Sequence, residues 1–145
     1  MFYGEYEHSL DNKGRIIIPA KFREVFAEHY IEKLYLTRGL ESCIFMFTED
    51  EWKAQEAKFK SIPFTKQDAR KFNRLYFSGA IEATPDRQGR ILMPKYLKDY
   101  AGIKKDVVII GVSNRIEIWD RDKWKEFYKA QRDSFEEIAE KLMET

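Results

Sequence analysis

Along the first residues of the chain the side chains alternate. Phe2, Gly4, Tyr6 and His8 fall on one side of a period-two pattern, and the reading is a half-buried strand over Phe2 to Leu10. A short turn leads into an apolar run, Arg15 to Ile18, which reads as a second strand ended by Pro19. Ala20 to Glu28 then reads as a short helix, with the proline placed where a missing N–H costs least. Lys33 to Thr37 and Cys43 to Phe47 read as a hairpin joined through Gly39-Leu-Glu-Ser. A helix should follow, capped by Thr48 with Glu51 three residues on, the spacing of a capping box.

The same succession comes round a second time. Asp11-Asn-Lys-Gly-Arg15-Ile-Ile-Ile-Pro19 recurs 75 residues later as Asp86-Arg-Gln-Gly-Arg90-Ile-Leu-Met-Pro94. The offset extends backwards to pair Phe2 with Phe77, Gly4 with Gly79 and Glu7 with Glu82, so Phe77 to Thr84 is predicted to repeat the first strand. Beyond the motif the offset shortens to 72, matching Gly39, Ile44 and Trp52 to Gly111, Ile116 and Trp124. A duplicated module that has changed one loop length drifts in this way. In the second copy Arg90 to Met93 is the short strand, Lys95 to Tyr100 the short helix, and Asp106 to Val112 with Arg115 to Trp119 the hairpin, turning at Ser113-Asn114. Asp120 is the expected cap of a last helix from about Arg121 to Leu142, whose stripe of Trp124, Phe127, Tyr128, Gln131, Phe135, Ile138 and Leu142 should be core or interface. The organisation expected is a first module at 1–60, a connector or short helix at 61–75 and a second module at 76–145, in the α+β class.

Composition narrows the function classes. At 145 residues with 43% hydrophobic and 35% charged residues, the chain reads as a soluble globular protein. The N-terminus lacks the basic-then-apolar order of a signal peptide, and the longest strongly apolar run, Val107 to Val112, is far short of the roughly 20 residues of a bilayer span. A cytoplasmic location is expected. The single cysteine, Cys43, leaves no intrachain disulfide and no multi-cysteine zinc site, and it reads as a small buried apolar residue. His8 and His29 have no metal-ligand spacing, and no nucleophile elbow, P-loop or dinucleotide fingerprint occurs, so neither catalysis nor a cofactor or metal is expected. Abundant Glu and Lys mildly suggest a thermophilic source.

The repeated Asp-x-x-Gly-Arg unit carries the chemistry. In a tight connection the Asp can accept hydrogen bonds from backbone N–H groups, and Gly can take the positive-φ position. An Arg held on such a turn is suited to meet a phosphate or a guanine edge bidentately. The alternative is that Asp and Arg pair with each other or with a neighbouring strand. Although the formal net charge is only +1, Asp11 to Arg23 carries four basic residues against one acidic, and 58–74 six against one, while 117–145 has six basic and nine acidic. A near-neutral chain can therefore present a basic face.

These motifs, Asp11 to Arg15 and Asp86 to Arg90, each followed by three apolar residues and proline, resemble those of the MraZ family. MraZ proteins carry tandem AbrB-like (SpoVT-AbrB) modules. The likeness extends over the opening Phe2-Tyr-Gly-Glu-Tyr, the Arg38-Gly-Leu-Glu-Ser turn and the Ala83-Thr-Pro-Asp-Arg-Gln-Gly-Arg stretch. The resemblance implies two pseudo-symmetric AbrB-like modules and a nucleoid-associated transcriptional regulator. Such a regulator binds direct repeats in double-stranded DNA, upstream of its own gene and the division and cell-wall gene cluster. It also implies a ring-shaped homo-oligomer, octamer-like or larger. Carried onto this chain, the DNA-binding candidates are Asp11, Lys13, Gly14 and Arg15, the preferred loop, and Asp86, Arg87, Gly89 and Arg90, its counterpart. Lys21 and Arg23 join Lys13 and Arg15 as the expected phosphate contacts of the first module. Several linked loops would supply the specificity that one small loop lacks. The competing reading is a protein-interaction module, antitoxin-like or a structural ring, that does not touch DNA.

Overall fold

In the computed structural model, which describes residues 1–144, antiparallel strands and helices form a mixed α+β fold. The strands are β1 (Phe2–Ser9), β2 (Arg15–Ile17), β3 (Leu34–Arg38), β4 (Ile44–Thr48), β5 (Ile81–Ala83), β6 (Arg90–Leu92), β7 (Asp106–Ser113) and β8 (Ile116–Asp120). The helices are α1 (Ala20–Glu28), α2 (Glu49–Lys60), α3 (Gln67–Ser78), α4 (Lys95–Tyr100), α5 (Arg121–Gln131) and α6 (Phe135–Met143). Six strands make one sheet in the order β1-β7-β8-β4-β3-β5, and β2 pairs with β6 as a separate ribbon.

The order interleaves the two copies. Each copy keeps its own hairpin, β3–β4 or β7–β8, but lends its first strand to the other: β1 pairs with β7, and β5 pairs with β3. Equivalent residues face each other where the copies meet. Phe45 lies opposite Glu117 between β4 and β8, and Ile16 opposite Ile91 between β2 and β6. A pseudo-two-fold relation thus runs through both pairings. A short strand cannot satisfy its backbone alone, and here the missing partner comes from the other copy.

Both faces of the large sheet are covered, which explains why Ile44 to Phe47 and Val107 to Ile110 are continuously apolar. On one face Phe22, Leu97, Ile16 and Ile91 of α1, α4 and the ribbon pack onto Leu36, Ile109 and Ile118. On the other, an aromatic cluster centres on Trp52, Tyr76 and Trp119, with Trp52 stacked at 5.6 Å on Tyr76. Cys43 lies in this second cluster, and burial raises its thiol pKa far above the ordinary range. Thr48 Oγ1 accepts a hydrogen bond from Glu51 N at 3.4 Å, and the Asp120 carboxylate accepts one from Lys123 N at 3.2 Å, as the two expected caps should.

Two sequence expectations are corrected. Phe77 and Ser78 end α3 instead of opening a strand, and only Ile81–Ala83 is extended. The cause is tertiary: Phe72 and Tyr76 stack at 4.9 Å and Phe77 sits edge-on to Trp52 at 5.6 Å, so helical spacing buries more aromatic surface than alternation would. Most of the 61–75 segment lies in α3, the short-helix form of the expected connector. The last helix is not continuous; a 3-10 turn at Arg132–Ser134 separates α5 from α6. Its aromatic stripe divides there. Trp124 and Phe127 pack against Trp119 at 5.3 and 5.2 Å, whereas Phe135 is 73% and Leu142 76% exposed.

Candidate nucleic-acid interface

Each Asp-x-x-Gly-Arg unit is a turn closed by its own backbone. Gly14 N donates to Asp11 O at 3.0 Å and Asp11 N to Arg15 O at 2.9 Å; in the second copy Gly89 N donates to Asp86 O and Asp86 N to Arg90 O, both at 2.9 Å. Gly14 and Gly89 take φ of 77° and 78°, the left-handed region that a Cβ disfavours. The carboxylate then ties the turn from the side. Asp11 Oδ1 accepts from Lys13 N and Arg15 N at 2.9 Å, while Oδ2 accepts from Arg15 Nε at 2.7 Å. Asp86 repeats the pattern with Gln88 N, Arg90 N and Arg90 Nε. The arginine's backbone N–H leads the causes that hold both carboxyls below the ordinary aspartate value.

The alternative in which Asp and Arg pair with each other is thus what the geometry contains. It does not consume the arginine. Only Nε is engaged, and among the described residues the terminal guanidinium nitrogens of Arg15 and Arg90 make no hydrogen bond. With Nε pinned, the planar head is pre-oriented, and its two terminal N–H edges remain available for an acceptor.

The ribbon carries both turns. β2 and β6 run antiparallel with Arg15 opposite Leu92, Ile16 opposite Ile91 and Ile17 opposite Arg90. Alternation sends Ile16 and Ile91 into the core, so Arg15, Ile17, Arg90 and Leu92 share the outward face. Each turn is also fastened to the other copy: Ile18 N donates to Gly89 O at 2.8 Å and Met93 N to Gly14 O at 2.9 Å. The two turns therefore sit at opposite ends of one rigid ribbon.

That placement regroups the predicted residues. Asp11, Lys13, Gly14 and Arg15 stay together at one end. Arg23 crosses to the other: its Nε donates to Ile18 O at 3.0 Å, and its side chain lies across Gly89. It lines a groove of about 370 Å³ with Asp86, Arg87 and Gly89. Lys21, exposed near the start of the same helix, pairs loosely with Glu24 at 3.9 Å. The four cations grouped in sequence as one phosphate cluster are accordingly split, and Arg23 joins Arg87 and Arg90. Sequence reasoning missed Ile17 and Leu92, because a run of apolar residues carries no sign of which one faces out.

Among the described residues, no cluster of His, Cys, Asp and Glu is arranged to hold a metal ion, and no helix is long and apolar enough to cross a membrane. Burial, and next the positive charge of Arg23, lower the pKa of half-buried His8.

The protein-family model described as "MraZ protein, putative antitoxin-like" matches residues 1–75 and again 76–145, so both copies are recognised separately. Among solved structures, the chain is similar to the solution structure of PHS018 from Pyrococcus horikoshii, at 18% identity over 81% of this chain and 88% of that one. The TM-score of that pair is 0.31.

Proposed function

The chain belongs to the MraZ family, and on that premise we propose that it is a sequence-specific DNA-binding transcriptional regulator that lays the outward face of the β2–β6 ribbon into the major groove. The observation that carries this reading is the presence of two Nε-pinned arginines, Arg15 and Arg90, on one face of a rigid two-stranded ribbon. The major groove admits such a ribbon, and a guanidinium bonding guanine O6 and N7 is the commonest specific contact there. The arginines stand two residues apart along the ladder, roughly 7 Å at about 3.4 Å per residue, so they would address bases about two steps apart. Both loops take part in this reading. Lys13, Lys21, Arg23 and Arg87 flank the ribbon as phosphate contacts, with Asp11, Gly14, Asp86 and Gly89 shaping the turns.

The targets proposed are direct repeats upstream of the protein's own gene and the division and cell-wall cluster, bound at the nucleoid in the cytoplasm by a ring-shaped homo-oligomer. Self-association has structural support. α6 leaves Phe135, Ile138 and Leu142 exposed beside Glu136, Glu137 and Glu140, whereas 58–74 is basic and exposes Phe64. Like charge disfavours α6 meeting its own copy; opposite charge favours a head-to-tail contact, the kind that closes rings. Linked copies add affinity without new contacts. The competing reading, an antitoxin-like interaction module, draws on the family description and on the same apolar α6 face.

The deciding experiment is binding of the purified protein to a fragment from upstream of its own gene, against scrambled DNA, at two salt concentrations, with oligomeric mass followed by light scattering. The regulator reading expects preference for the native fragment and a steep loss of affinity with salt. Absence of any preference at low salt would overturn it and send the search to a protein partner.

A further inference from the structure

The outward face of the ribbon is not wholly cationic. Ile17 is 42% and Leu92 61% exposed, on strands only three residues long that have already buried Ile16 and Ile91 in the core. Their positions are fixed by the register: Leu92 lies directly opposite Arg15, and Ile17 directly opposite Arg90. Directly opposed residues hold their Cβ atoms about 4.5–5.5 Å apart, so each arginine has an aliphatic neighbour at its side. Leu92 also reaches over the first turn, its Cδ1 lying 3.9 Å from where a Cβ on Gly14 would stand. The arrangement is duplicated by the pseudo-two-fold relation, and Arg15, Arg90, Lys13 and Arg87 surround it with positive charge, which suits a polyanion.

We propose that Ile17 and Leu92 are specificity-determining residues that contact the C5-methyl group of thymine, each next to the base addressed by the arginine across the ladder. The proposal rests on the DNA-binding reading above and adds to it what the face reads besides guanine. The major groove offers side chains one apolar feature, the thymine methyl, and an aliphatic side chain is matched to nothing else on its floor. Two aliphatics placed symmetrically between two arginines would otherwise enter a polar groove for no gain. The preferred site therefore contains thymine adjacent to guanine.

The test uses the full chain and its own upstream fragment, made with thymine or with deoxyuridine throughout. This change removes the methyl groups and leaves every hydrogen-bonding atom in place. The expected result is an affinity about four- to fifteenfold weaker for the deoxyuridine fragment, the scale of one or two buried methyl groups. Ile17→Ala and Leu92→Ala should weaken binding to the thymine fragment, and the double variant should no longer distinguish the two fragments. The salt dependence should not change, because no phosphate contact is lost. If wild type prefers its own DNA yet binds both fragments equally, this inference falls while the regulator reading stands; that measurement needs no variant. If the double variant keeps the discrimination, other residues read the methyl groups and the assignment is overturned. If either alanine lowers the oligomeric mass, the face covers a second copy and the assignment is also overturned. If wild type prefers neither its own DNA nor any other, both readings fall together.

Discussion

The two turns at the ends of the ribbon are built alike and surrounded differently. Each has the same two backbone closures, the same carboxylate cradle and the same positive-φ glycine. At Gly14 a Cβ would make only ordinary van der Waals contacts, the nearest with Met93 O at 3.8 Å; at Gly89 that Cβ would meet Arg23 Cδ at 2.5 Å. The difference arises because antiparallel pairing delivers the end of β2, and the helix after it, to the turn of the other copy. α1 brings Arg23 to the second turn. α4 carries Lys98 at the position equivalent to Arg23, 75 residues on, and no atom of it lies within 4 Å of a Cβ placed on Gly14. Duplication has kept the local rule while the crossover contacts have diverged, leaving one open turn and one clasped turn.

The sharpest test of the comparison is DNA affinity. Arg15→Ala and Arg90→Ala should each lose roughly ten- to a hundredfold in binding to the upstream fragment, as removal of a bidentate base contact does. Equal losses would mean that both ends of the ribbon read DNA. A loss confined to Arg15 would make the open turn the reader and the clasped turn a brace.

Stability should separate the glycines next. Gly14→Ala forces an L side chain into the left-handed region and should cost about 1 to 2 kcal/mol in denaturant unfolding. Gly89→Ala adds the displacement of Arg23 and should cost about 1 kcal/mol more. Identical costs would show that Arg23 swings away freely, so that the clasp has no energetic weight.

Arg23→Ala removes the hydrogen bond to Ile18 O and should destabilise by about 1 kcal/mol. Lys98→Ala, its counterpart, should stay within about 0.5 kcal/mol of wild type. The smallest effect concerns pH, where the two turns should behave alike. Asp11 and Asp86 have carboxyls depressed below their ordinary value of 3.8, so the stability they contribute is complete above that value and drains as pH falls through the lowered one. Carboxyl carbon-13 titration by NMR should find both midpoints low. An ordinary midpoint at one of them would show that turn opening in solution.

Much of the site was legible because its chemistry is local. Asp, Gly and Arg at fixed spacing point to a carboxylate cradle and a left-handed glycine within five residues, and both occur twice; that the arginine is also held at Nε by the Asp was one of two readings the spacing left open. The caps at Thr48 and Asp120 were legible for the same reason. Other features were not. Ile16, Ile17 and Ile18 look interchangeable in sequence; pairing with β6 buries the outer two and exposes the middle one. Phe77 stands in register with Phe2, yet the aromatic packing around Trp52 makes it helical. The stripe from Trp124 to Leu142 has one period but two fates, because only its first half lies over Trp119.

By itself, the sequence determined the duplication, the identity of most elements, the geometry of the two turns and the family to which they belong, since each depends on residues close together in the chain. Only the tertiary structure decided that the copies exchange first strands, that the turns stand at opposite ends of one ribbon, and that Arg23 clasps the turn of the other copy. Those outcomes depend on which strand edge pairs with which. Backbone hydrogen bonding is nearly the same for any pairing, and the choice falls to how apolar surface from both copies packs together.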